Sequence, residues 1–108
     1  MISQIAPADL AAWRADASRE APALVDVREP WEYERCHIDG AKLVPLQELP
    51  ARLGELPKDR DLVLVCHHGG RSLQAAGWLA RNGFLRVHNL AGGIDAWART
   101  VDTGMARY

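Results

Sequence analysis

Two kinds of hydrophobic patterning alternate along the chain. Short aliphatic runs with strand character are "ALVDV" (residues 23–27), "AKLVP" (41–45), "DLVLVC" (61–66) and "RVHNL" (86–90), and "ISQI" adds a short fifth near the start. Between them apolar residues recur at helical spacing. Pro7 suits the first turn of a helix on which Leu10, Trp13 and Ala17 share a face. "PWEYERC" reads as a short helix opened by Pro30. "LQELPARLGEL" carries Leu46, Leu49, Leu53 and Leu56, but Pro50 restricts it to short turns. "RSLQAAGWLARNG" sets Leu73, Ala76, Gly77 and Ala80 on one face, with Gly83 as its stop. "GGIDAWART" repeats the pattern with Ile94, Trp97, Ala98 and Val101.

Strands alternating with helices predict an α/β fold, a parallel sheet covered on both faces. "LVLV" is apolar at every position, as a central strand buried on both sides requires. Ala75, Ala76 and Gly77 allow the following helix to sit close to that sheet. A length of 108 residues suits one domain spanning 1–108, large enough for a core without disulfides.

Charge narrows the partners. The formal net charge is −1, so no bulk field favours nucleic acid or a membrane surface, and any anion preference is local. "MISQIAPADL" lacks the basic start and apolar run of a signal peptide, and no apolar stretch approaches the ~20 residues of a membrane span. Two cysteines, Cys36 and Cys66, in a chain read as leaderless are expected to be thiols in the cytoplasm.

The densest chemistry lies in "VCHHGGRS". In open α/β sheets ligands bind beyond the carboxyl ends of the strands, and Cys66 ends the candidate central strand there. Gly69 and Gly70 permit a loop that curls its N–H groups inward. The following helix contributes unpaired donors and a partial positive charge, and Arg71 adds a full one. These favour a thiolate at Cys66 and an anion bound against it, with the strand end expected to expose the sulfur.

"LVDVREPWEYERCHIDGA", "VCHHGGRS" and "LAGGIDAW" stand in the order found in rhodanese-like sulfurtransferases, and the chain resembles a single-domain bacterial rhodanese. The resemblance implies a five-stranded parallel sheet with helices on both faces. It implies transfer of a sulfane sulfur through a persulfide on Cys66, with His67, His68, Gly69, Gly70, Arg71 and Ser72 forming the binding loop. Thiosulfate is the expected donor and cyanide or a thiol the expected acceptor, in two half-reactions without cofactor or metal. His67 and His68 are expected to tune charge and line the entrance. Arg71 either contacts the donor or braces the loop against Glu32, Glu29 or Asp26, and the brace is favoured because an arginine fork matches a carboxylate. Arg28 is expected in a structural ion pair in preference to the site edge. Cys36 stands where the family commonly has glycine; it reads as a tolerated small residue, the alternative being a second thiol that resolves the persulfide or bridges to Cys66.

Rival functions remain open from sequence. A phosphatase or arsenate reductase on the same fold has one more residue between cysteine and arginine, whereas only "HHGG" lies between Cys66 and Arg71. A docking module without chemistry has no need of the cysteine. A sulfur relay to a protein acceptor differs only in donor and acceptor. A zinc site from Cys36, His37, Cys66, His67 and His68 has suitable ligand types, but adjacent residues do not match structural zinc spacing. Trp13 and Trp97 are expected in the core, Trp78 at an edge and Trp31 near the cleft, while His37 and His88 read as capped or surface histidines. The tail "VDTGMARY" shows no pattern beyond packing along the surface, and the chain is expected to be monomeric.

Overall fold

The computed structural model describes residues 2–108. Strands β1 (Ser3–Ile5), β2 (Ala23–Asp26), β3 (Lys42–Leu43), β4 (Leu62–Val65) and β5 (Val87–Leu90) form one sheet in the order β1-β5-β4-β2-β3. Every pairing is parallel, so each connection must cross over the sheet. The crossovers carry helices α1 (Pro7–Ala15), α2 (Pro30–Arg35) and α3 (Gly70–Arg81) and two single 3-10 turns at Leu46–Glu48 and Leu53–Glu55, and α4 (Gly93–Thr100) follows the last strand. Among the described residues no helix is long and apolar enough to cross a membrane.

The predicted central strand is β4, and all four of its residues are buried. Alternation along it divides the core in two. Leu62 and Leu64 face a cluster with Ala75, Ala76 and Leu79 of α3. Val63 and Val65 face a second cluster with Leu10 and Trp13 of α1 and Ile94 and Trp97 of α4. The amino-terminal edge of the sheet is polar: His88 lies between Ser3 and Asp61, and Asp61 also pairs with Arg86.

Two helical faces differ from those the spacing predicts. Ala17 lies beyond α1 and is exposed, because the Asp16 carboxylate takes the Ser18 N–H and hydroxyl and turns the chain. In α3 the buried positions are Ser72, Ala75, Ala76 and Leu79, while Leu73 is 42% exposed. The helix is rotated by one residue, which directs the Ser72 hydroxyl inward to polar partners that leucine cannot satisfy.

Candidate active site

The chain leaves β4 at Val65 and places Cys66 directly beyond the carboxyl end of the central strand. The expected exposure of the thiol is corrected: Cys66 is only 1% exposed, because the loop closes over it. Its surroundings are nonetheless polar on one side. The Gly69 N–H donates to Sγ at 3.0 Å, and the Ser72 hydroxyl lies 3.2 Å from the same atom. Gly69 has φ +103°, the left-handed turn that aims its N–H inward before α3 begins.

Helix α4 presses on the loop from the other side of the chain. The Ile94 N–H donates to the Cys66 carbonyl at 2.8 Å and the Asp95 N–H to the His67 carbonyl at 3.0 Å. This approach depends on Gly93, where an added Cβ would meet the His67 carbonyl oxygen at 2.4 Å and that of Cys66 at 2.5 Å. Two helix amino termini therefore converge on the residues flanking the thiol.

Arg71 leaves the loop and binds Glu32, Nη1 to Oε1 at 2.7 Å and Nη2 to Oε2 at 2.8 Å. Of the three predicted carboxylates, Glu29 instead caps α2 and Asp26 pairs elsewhere. Glu32 also accepts the Glu29 N–H at 2.9 Å and the Tyr108 hydroxyl at 2.8 Å. Hydrogen bonding from Arg71, above all, holds its carboxyl down at about 2. Arg28 is fully buried and paired with the equally buried Asp26, its Nη2 2.7 Å from Oδ2. The remaining Arg28 donors reach the Cys36 carbonyl at 2.7 Å and the Tyr108 hydroxyl at 2.8 Å. Arg28 is thus a structural ion pair beneath the site.

Tyr108 was not legible as a site residue. Its hydroxyl bridges the Arg28 and Glu32 networks, and its ring stacks on His67 at 3.9 Å and 11°. Burial pushes its phenol up to about 12, so it remains a donor across the working range. Trp31 is 60% exposed and meets the Tyr108 ring edge-on, so it stands beside the tail rather than forming a wall of the cradle. Asn89 was missed as well. It is buried beneath the loop, accepts from the Ser72 hydroxyl, and donates to the Gly69 carbonyl at 3.2 Å.

The two loop histidines stack on each other at 3.9 Å. Burial, followed by the charge of His68, lowers the His67 pKa and keeps that ring neutral at neutral pH. Among the described residues, His67, His68 and Asp95 bring ligand atoms within 4.8 Å of one another. The Asp95 carboxylate is already held by Arg99 at 3.0 Å, so a cation there competes with an arginine. Cys36, His37 and Cys66 do not join that group. Cys36 packs against the second cluster and Cys66 belongs to the first, and both are free thiols.

A parallel α/β domain that folds a donor-lined loop around a cysteine at the end of its central strand has its thiol where ligands meet such sheets. The rhodanese-like domain model matches residues 7–100, and the chain belongs to the rhodanese-like family. It is 43% identical over 99 residues to a sulfurtransferase of Allochromatium vinosum, covering 92% of this chain and 91% of that one. It is 35% identical over 88 residues to the thiosulfate sulfurtransferase GlpE of Stutzerimonas stutzeri, covering 81% of each. A rhodanese-like domain protein from Staphylococcus aureus superposes with a TM-score of 0.83 at 28% identity, covering 98% of both chains. The predicted five-stranded parallel sheet is thus the family's own.

Proposed function

We propose that the chain is a sulfurtransferase that carries a sulfane sulfur on Cys66. The observation that carries this is the pair of donors on Sγ, the Gly69 N–H at 3.0 Å and the Ser72 hydroxyl at 3.2 Å. Donors of this kind stabilise a charged sulfur, whether thiolate or terminal persulfide. The ionised sulfur attacks the outer sulfur of thiosulfate, a new S–S bond forms, and the old bond breaks with its electron pair leaving on sulfite. Cyanide or a thiolate then attacks the outer sulfur of the Cys66 persulfide and restores the thiolate. No external oxidant or reductant is required, because the transferred sulfane sulfur itself carries the oxidising equivalent, and each half-reaction balances alone.

The loop supports sulfur over phosphate. The Arg71 fork is committed to Glu32, which leaves the short "HHGG" segment to line the site with backbone donors. A tetrahedral phosphoryl group needs an arginine free to clamp its equatorial oxygens. His67, neutral and stacked between His68 and Tyr108, shapes the wall of the loop.

Intact mass after incubation with thiosulfate tests the proposal. A gain of about 32 Da that disappears on adding a thiol, and is lost in Cys66→Ser, is expected for covalent sulfur carriage. An unchanged mass with thiosulfate and with small persulfides would refute carriage and leave a docking module. Loading from a persulfide alone would assign the chain to a sulfur relay.

A further inference from the structure

We propose that Asn89 is a positioning residue that holds both donors of the Cys66 sulfur and steers the Ser72 hydroxyl between two acceptors. The proposal deepens the sulfur-carrier function and rests on it.

Asn89 sits on β5 opposite Leu64 of β4. Cys66 follows Leu64 by two residues, so its side chain emerges on the same face as Asn89. A buried carboxamide needs partners for both ends, and Asn89 is 2% exposed. Its Nδ2 donates to the Gly69 carbonyl at 3.2 Å and to Gln4 Oε1 at 3.0 Å. Its Oδ1 accepts from the Ser72 hydroxyl. Gly69 and Ser72 are the two residues that face Sγ, so one side chain rising from the sheet anchors both.

The proton count makes this more than scaffolding. Ser72 has a single hydroxyl hydrogen and two acceptors in range, Asn89 Oδ1 and Cys66 Sγ. A charged acceptor outcompetes a neutral amide oxygen. With Cys66 ionised the hydroxyl therefore turns to the sulfur; with the sulfur neutral it turns back to Asn89. An amide serves here where a carboxylate does not. Aspartate would hold the hydroxyl permanently and place a like charge beside the thiolate, while the Arg71 guanidinium that could offset it is bound to Glu32.

The test uses the full chain in a Cys36→Ser background, so that one thiol reacts. Iodoacetamide alkylation at neutral pH and the ultraviolet thiolate absorbance report the sulfur directly, and thermal melting reports the fold. Asn89→Asp is expected to slow alkylation by about tenfold and to diminish the thiolate absorbance. Asn89→Ala and Ser72→Ala are each expected to slow it by about threefold, and the double variant by less than the product of the two, because Asn89 acts in part through Ser72. Wild-type rates in both Asn89 variants would overturn the proposal, as would a strictly multiplicative double variant. If the aspartate variant does not fold, the alanine cycle decides alone. Alkylation needs no sulfur donor, so a chain that refused sulfur from every donor would sink the proposed function and leave this measurement readable.

Discussion

Arg71 and Glu32 meet fork to fork, each terminal guanidinium nitrogen on one carboxylate oxygen, although 39 residues separate them. The contact ties the loop around Cys66 to α2 and commits the arginine of that loop to rigidity. Removing Arg71 leaves a nearly buried carboxylate with only the Glu29 N–H and Tyr108 hydroxyl. Because the arginine itself is partly exposed, Arg71→Ala is expected to cost about 1–2 kcal/mol in urea unfolding and to slow sulfur loading as the loop slackens. Arg71→Lys should recover less than half of either loss, since an ammonium does not reproduce the fork.

Acid should weaken the fold through the same carboxylate. Glu32 titrates near 4.5 when unfolded and at about 2 when folded. A depressed folded value means that the unfolded chain binds the proton first as pH falls. The stabilisation is therefore complete above about 4.5 and disappears as pH drops toward 2. Unfolding free energies measured between pH 6 and pH 3 should fall in the native chain, and the slope should flatten in Glu32→Gln.

Gly93→Ala should be among the most damaging single changes. Its φ of +63° is strained for alanine, and its new Cβ would press into the carbonyls of Cys66 and His67. A loss of about 3 kcal/mol or more is expected, with sulfur loading impaired in whatever protein folds. Gly54→Ala provides the contrast, since no atom beyond the local backbone lies within 4 Å of the added carbon. Its melting temperature should stay close to that of the native chain.

Tyr108→Phe tests the bridge made by the tail. The phenylalanine ring keeps its stack on His67 while Arg28 Nη1 retains only the Glu32 carbonyl at 3.4 Å. A stability loss of about 1–2 kcal/mol is expected for the deleted bonds to charged groups. Tyr108→Ala should lose more, because the stack goes too. Equal stability of native and phenylalanine chains would show that the hydroxyl contributes nothing.

What the chain announces locally, it announces well. The continuous apolar run of residues 62–65 marks the central strand, because a parallel strand covered on both faces has no polar side. Cys66, the two glycines and the helix start at Gly70 lie within a few residues, so the loop and the sulfur are neighbours along the chain before any distant contact forms. Pairings between distant elements are another matter. Three carboxylates were plausible partners for Arg71, and only the approach of α2 to the loop selects Glu32. The rotation that buries Ser72 and exposes Leu73 follows from a partner on β5, Asn89, 17 residues away. Tyr108 reaches Glu32 across 76 residues from a tail without periodicity. Local pattern specifies elements because it acts through neighbouring backbone; contacts between side chains depend on sheet order and helix rotation, which exist only once the whole core has packed.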